Sequence, residues 1–307
     1  MRSRRSCLSV PGSSPRMLAK AAFLGADEVI LDLEDAVAPA VKDAARGQVI
    51  AAIRGGDWAG KTVAIRVNGV ETRWCYRDVI EVVEGARGRL DCIVIPKVER
   101  AADVAFVDRL LTMVEETCGV EPRVKLELLI ETAVGLENLR DVARASPRIE
   151  TLILDPADMS ASLGLPAGAA AEHGDRWHWI RSTILLAARA AGLQAIDGPH
   201  LDVGDTEGLR RAAQQARALG YDGKWALHPG QLDPLNAVFA PSQEEFDRAA
   251  AVLEAYAHAT GSQSRGAVRF GSEMIDEASR KLAVQCVARG QAAGLRPTKT
   301  WADFQRE

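Results

Sequence analysis

The chain has 307 residues, 47% of them hydrophobic, with 38 Lys and Arg against 42 Asp and Glu for a formal net charge of -4. That length and apolar content exclude global disorder and fit either one α/β barrel or two ordinary domains. The mild negative charge, without a dense basic patch, excludes nucleic acid as the main partner, and no apolar stretch reaches the roughly 18 residues of a membrane span.

The first 26 residues carry no acid and include Arg2, Arg4, Arg5, Arg16 and Lys20, the composition of a transit peptide. Residues 7–10 nevertheless read as a strand, Pro11 and Gly12 as its turn, and 15–24 as a helix with Pro in its first turn, so the segment is read as part of the fold. Further strands are expected at 28–34, 62–68, 91–97, 124–131, 150–155, 194–197 and 223–228. Helical segments follow them, among them 39–53, 101–116, 177–191 and 205–219. Eight βα units in roughly 240 residues fit a (β/α)₈ TIM barrel better than a doubly wound open sheet. The expected division is a barrel over 1–241 and a C-terminal helical extension over 242–307, with a helix at 243–258, a polar linker at 261–266 and a second helix at 272–290. Cys7, Cys75, Cys92, Cys118 and Cys286 form no CxxC pair and are odd in number, which reads as reduced thiols in a cytoplasmic protein.

Inward side chains at the C-terminal ends of barrel strands form the floor of an active site. Those ends carry Asp32, Glu34 and Asp35, then Arg66 and Asn68, Lys97, Glu127 and Glu131, Asp155 and Asp158, Asp197, and His228. A barrel interior is ordinarily filled by branched apolar side chains, so this set points to chemistry as a whole, although any one member can be a rim ion pair. Glu127, deeper on its strand, is expected to be such a pair. Glu131 opens the loop to the next helix and is expected at the rim, not deep in the core. Arg66, with Val63, Ile65 and Val67 turned to the helices, is expected to point along the barrel axis, gripping a carboxylate or oxyanion or neutralising Glu34 or Asp35. Lys97 is a residue type that forms Schiff bases, but its acidic company argues against that chemistry. His228 precedes Pro229 and Gly230 and reads as a turn anchor or a group that orients substrate. The strongest signal is the crowding of Glu131, Asp155 and Asp158. Unit charges about 4 Å apart repel by roughly 4 kcal/mol at an effective dielectric near 20, so such carboxylates share a proton or bind a cation, and a hard divalent ion such as Mg²⁺ is the natural partner.

The segments RSCLSVPGSSPRML, LDLEDAVAPAVKDAAR, IRVNGVET, IPKVE, IETAVGL, DPADMSASLG, AIDGPHLDVGD and GKWALHPGQL, in this order over nearly the whole chain, resemble the HpcH/HpaI aldolase and citrate lyase β-subunit family. The likeness is greatest to its stand-alone CoA-ester lyases, which act on malyl-, citramalyl- and β-methylmalyl-CoA. The resemblance implies a (β/α)₈ barrel, Mg²⁺ (or Mn²⁺) as cofactor, a CoA thioester as substrate and a homotrimer or hexamer. It also implies Glu131 and Asp158 as metal ligands and Arg66 as the group that holds the substrate and steadies an enolate oxygen, with Glu34 and Asp35 beside it. The FGSEMID segment is similar to one that supplies an aspartate to a neighbouring subunit, which implies Asp276 as the base. Three positions depart from the pattern: Asp155 stands where relatives carry Gly, Ser9 where they carry an aromatic, and Ser14 where they carry a basic residue near CoA. Arg16 and Lys20 remain for the CoA phosphates. Asp155 either joins the metal or substrate chemistry or pairs with a base. Rival readings are a metal-dependent (class II) aldolase acting on free 2-oxo acids without CoA, a malyl-CoA thioesterase, and a citrate lyase β-like subunit that works only inside a larger complex.

Overall fold

Eight short strands alternate with helices and close on themselves: β1 (Ser6–Pro11), β2 (Glu28–Asp32), β3 (Thr62–Arg66), β4 (Cys92–Ile95), β5 (Lys125–Ile130), β6 (Ile149–Leu154), β7 (Gln194–Asp197) and β8 (Gly223–Ala226). In this computed structural model each pairs in parallel with its neighbour, and β1 pairs with both β2 and β8, so the sheet is a closed barrel. All residues are described except 1, 122, 166–174, 263–265, 306 and 307. The helices of this part are α1 (Pro15–Ala21), α2 (Lys42–Gly55), α3 (Cys75–Ala86), α4 (Ala101–Cys118), α5 (Ala133–Glu137), α6 (Leu139–Val142), α7 (Pro156–Ser162), α8 (His178–Ala191), α9 (Thr206–Leu219) and α10 (Leu232–Phe239).

The period-two alternation of each strand sorts its side chains into two cores. Cys7, Ile30, Ala64, Cys92, Val94, Leu129, Ile153, Ile196 and Trp225 fill the barrel interior. Their neighbours Leu8, Val29, Leu31, Val63, Ile65, Ile93, Leu128, Leu152, Ala195 and Ala226 pack outward against the helices. Burying a large aliphatic side chain stabilises by about 1.5–3 kcal/mol, so a one-residue slip in any strand would exchange the two cores at large cost.

The N-terminal end of the barrel is closed by a charge, not by an apolar plug. Arg4, whose side chain is fully buried, reaches Glu28 at 2.9 Å, Glu127 at 2.8 Å and Glu150 at 2.7 Å, and donates to the Gln194 amide oxygen at 2.6 Å. Glu127 is therefore an interior ion-pair partner, and its ligand is the arginine just before β1. Burial, then the neighbouring Glu127 carboxylate, raise the Glu28 carboxyl well above the usual range, against the pull of the Arg4 charge.

The chain divides into two compact units, Met1–Phe239 and Ala240–Glu307. The second holds α11 (Gln243–Ser262), a hairpin of β9 (Val268–Phe270) and β10 (Glu273–Ile275), α12 (Glu277–Ala292) and α13 (Trp301–Phe304), around a core that includes Ala249, Val252, Ala255, Phe270, Ile275 and Ala283. The helix expected from 272 begins at Glu277 instead. Gly271, at φ 58°, opens a two-residue Gly-Ser turn, and Phe270 and Ile275 flank it as the buried residues of a strand pair. The linker expected at 261–266 is helical at its start and falls partly on 263–265, outside the described residues. Cys7, Cys75, Cys92 and Cys118 are free thiols. Among the described residues no helix is long and apolar enough to cross a membrane.

Candidate active site at the C-terminal mouth of the barrel

Two adjacent strands end in the acidic cluster. Glu131 directly follows β5, and Asp155 directly follows β6, both in the inward phase set by Leu129 and Ile153. Pro156 then starts α7, where a missing N–H costs nothing, and the Asp155 side chain caps that helix by accepting from the Ala157 N–H at 2.8 Å. Asp158 lies in the same first turn. One carboxylate oxygen from each of Glu131, Asp155 and Asp158 lies within 4.8 Å of the other two.

Glu131 directly follows its strand, where a rim position was expected, but it is buried, only 1% exposed. Its Oε1 accepts from the Lys97 backbone N–H at 2.6 Å, while its Oε2 is buried with no hydrogen-bond partner. Burial first, then Asp155, Asp158 and Glu34, push its carboxyl up to about 8. Burial and Asp158 raise Asp155 as well. An unpartnered buried carboxylate oxygen is costly, and three converging oxygens offer what a hard divalent cation takes from a protein. The residues present fit such an ion.

Arg66 ends β3 and points inward, as Ala64 does two residues earlier. The register places it directly opposite Asp32, and the pair is bidentate: Nε to Oδ1 at 2.8 Å and Nη2 to Oδ2 at 2.5 Å. Its Nη1 lies 3.2 Å from Glu34, and its guanidinium stands 5.7 Å from the centre of the Trp225 ring. Asp32 is thus the principal partner of Arg66, a role the sequence reading gave to Glu34 or Asp35. Asp32 also accepts from the Glu34 and Ala36 N–H groups, so one carboxylate sets both the arginine and the turn after β2. Burial opposes the Arg66 charge, but Asp32 and Glu34 hold the guanidinium firmly protonated.

Glu34, 5% exposed, lies between Arg66 and the Lys97 ammonium, which also pairs with the exposed Asp35 at 3.1 Å. Asp35 therefore sits with Lys97, not with Arg66. The Lys97 pKa is raised, chiefly by Glu34 against the opposing effect of burial, which is the wrong direction for a Schiff-base nucleophile. Lys97 also has φ 51°, a left-handed backbone that costs a non-glycine residue about 1 kcal/mol or more. Sequence reading placed Lys97 among the strand-end candidates but gave it no role beyond a disfavoured Schiff base; its contacts with Glu34 and Glu131 were not foreseen.

The other expected site residues divide by strand phase and by unit. Asp197 follows the inward Ile196, so it faces the helices and pairs with Lys224 at 2.5 Å and Arg181 at 2.9 Å as structural ballast. His228 is exposed, and its Nδ1 accepts from the Gly230 N–H at 3.1 Å, anchoring the turn that follows. Arg16 and Lys20 are exposed on α1, which Ser14 caps, and Ser9 is partly exposed on β1. Asp276 lies in the second unit as the exposed N-cap of α12, accepting from the Ala278 and Ser279 N–H groups at 2.9 and 3.1 Å. Those bonds, that from Ser279 first, hold its carboxyl below the usual range and make it a weak base in this conformation.

The family model described as HpcH/HpaI aldolase/citrate lyase matches residues 5–229. The chain belongs to this family. It is 39% identical over 296 residues to the L-malyl-CoA/beta-methylmalyl-CoA lyase of Cereibacter sphaeroides, covering 92% of this chain and 93% of the relative. It is 33% identical to the citrate lyase subunit beta of Escherichia coli, covering 96% of each. Among solved structures, the protein CitE of Mycobacterium tuberculosis in complex with magnesium, acetoacetate and coenzyme A is 33% identical, with a TM-score of 0.73 over 93% of this chain and 97% of that one. The family match spans every barrel strand, so the mouth described above lies wholly within it.

Proposed function

We propose that this chain is a Mg²⁺-dependent carbon–carbon lyase acting on 3-hydroxyacyl-CoA esters such as malyl-, β-methylmalyl- or citramalyl-CoA, releasing a 2-oxo acid and an acyl-CoA or joining the two. The relatives' activities support the substrate class, and one observation carries the reading onto this chain: Glu131, with its buried Oε2 unpartnered, converges with two further carboxylates. Glu131 and Asp158 would hold the ion, with Asp155 beside them. When bound there, it supplies Lewis-acid polarisation and a template for the substrate's carboxylate and hydroxyl oxygens.

Arg66, its plane fixed by Asp32, keeps donors for the thioester oxygen, where negative charge builds as the carbon–carbon bond breaks. The bond's electron pair passes to the α-carbon, giving an enolate that later takes up a proton to become the acyl-CoA. The hydroxyl proton goes to Asp276 supplied by a neighbouring copy, so the working unit is a homotrimer or hexamer. Glu34 and Asp35 orient the arginine side of the mouth, Arg16 and Lys20 receive the CoA phosphates, and Asp155 and His228 border the substrate. The free thiols of Cys7, Cys75, Cys92 and Cys118 suit a cytoplasmic setting.

The test is incubation with Mg²⁺ and a panel of malyl-, β-methylmalyl- and citramalyl-CoA esters, with the released 2-oxo acid trapped as its hydrazone. Release that stops with a chelator and falls at least about a hundredfold in Glu131→Gln is expected. Free malate and CoA without 2-oxo acid would mean a thioesterase, and turnover of free 2-oxo acids and aldehydes alone would mean an aldolase. Light scattering that finds only monomers would remove the neighbour's aspartate from the mechanism.

A further inference from the structure

We propose that Lys97 is a positioning residue with two separable actions: its backbone N–H, held at a left-handed residue just past β4, fixes Glu131 toward the cation, and its ammonium takes one oxygen of Glu34, so that Arg66 shares that carboxylate instead of holding it alone. This rests on the reading that Glu131 ligates the ion and Arg66 the substrate.

Strand β4 ends at Ile95, with Val94 turned inward and Ile95 outward. Continued extension would send residue 97 outward too, among the helices. The left-handed backbone at Lys97 breaks that alternation. Pro96 has no N–H, so the Lys97 amide is the first donor after Ile95, and it meets Glu131 Oε1 at 2.6 Å. That bond leaves Oε2 as the unpartnered oxygen of the pair. Glycine is the usual tenant of this conformation, yet a lysine occupies it. The side chain supplies the reason, because from the same backbone its Nζ pairs with both Glu34 and Asp35. Glu34 is buried and already 3.2 Å from Arg66 Nη1. Without the ammonium its only cationic partner among these contacts is Arg66, and the oxygen that Lys97 now holds would compete for further donors that the substrate needs.

Two pairs of variants separate the actions. Lys97→Met keeps length and backbone but removes charge, and Lys97→Arg restores charge. Lys97→Met should lower kcat/KM about tenfold or more, with partial recovery in Lys97→Arg, while Mn²⁺ affinity read by electron paramagnetic resonance stays within about threefold of the unaltered chain. Lys97→Gly and Lys97→Val both lack the charge, but only glycine accepts the left-handed backbone freely, and a β-branched residue resists it. Lys97→Val should bind Mn²⁺ about 10- to 100-fold more weakly, the usual effect of losing a group that orients a metal ligand, and Lys97→Gly should not. Unchanged turnover in Lys97→Met would overturn the ammonium's role. Equal Mn²⁺ affinity in Lys97→Val and Lys97→Gly would overturn the backbone's role. Should Lys97→Val fail to fold by circular dichroism, Lys97→Ala replaces it, and weaker Mn²⁺ binding by Lys97→Gly than by Lys97→Ala would be equally fatal. Absence of Mn²⁺ binding by the unaltered chain would instead sink the cation reading itself, and the backbone role with it.

Discussion

Protons and the divalent cation should compete for Glu131. Its carboxyl is pushed up to about 8, so near neutral pH most of the cation-free protein carries a proton there. Binding must expel that proton, and for a single competing site the apparent Kd rises about tenfold for each pH unit below the pKa. From pH 6 to pH 8 the Mn²⁺ or Mg²⁺ affinity should therefore rise by roughly fiftyfold and level off above that at about a hundredfold. Stability of the cation-free chain should run the other way. The folded pKa lies above the unfolded one, so between about 4.3 and 8 the folded state binds more protons and loses stability as pH rises, by up to roughly 1.4 kcal/mol per unit. Added cation should cancel that loss. Isothermal titration calorimetry in buffers of different ionisation enthalpy counts the expelled protons, and urea unfolding from pH 5 to 8 with and without Mg²⁺ measures the stability. Asp155→Asn, which removes the strongest neighbouring charge on Glu131, should move the plateau to lower pH. An affinity that is flat from pH 6 to 8, with no proton release, would refute the claim that burial and the two aspartates keep Glu131 protonated.

Arg66→Ala should lower kcat/KM at least about a hundredfold, and Arg66→Lys should recover little because a lysine cannot make the forked pair with Asp32; near-normal turnover in either variant contradicts the role given to the guanidinium. Arg4→Met should cost about 3–5 kcal/mol in urea unfolding, since it strands the fully buried Glu127 at the barrel's closed end; a loss under about 1 kcal/mol would mean that Arg4 is not what neutralises it. Gly223→Ala should fail to fold or lose several °C in Tm, because its Cβ would stand 1.7 Å from the Arg4 carbonyl oxygen; an unchanged melting curve would show that the chain before β1 can move aside.

The eight-strand order was legible because alternating βα units leave few architectures, and the strand centres lie where runs such as VAIRV and TLILD place them. The acidic cluster was legible for the same reason: parallel strands bring their C-terminal ends to one mouth, so acids closing β5 and β6 must converge there. What escaped was partnership. Sequence assigned Arg66 to its neighbours in the motif, Glu34 or Asp35, whereas register put it opposite Asp32, and Asp35 went to Lys97. Phase also sorted residues that looked alike in the chain: Glu131 and Asp155 continue the inward positions of Leu129 and Ile153, while Asp197 follows the inward Ile196 and is spent on Lys224 and Arg181. A polar residue at a strand end is thus a candidate only after its phase is fixed by the apolar residue two positions before it. Lys97 escaped even that rule, because its left-handed backbone ends the alternation and no count along the strand predicts where its side chain goes. The hairpin before Asp276 was missed for a related reason, since two three-residue strands across a Gly-Ser turn are too short to show a period of two against the helix beside them.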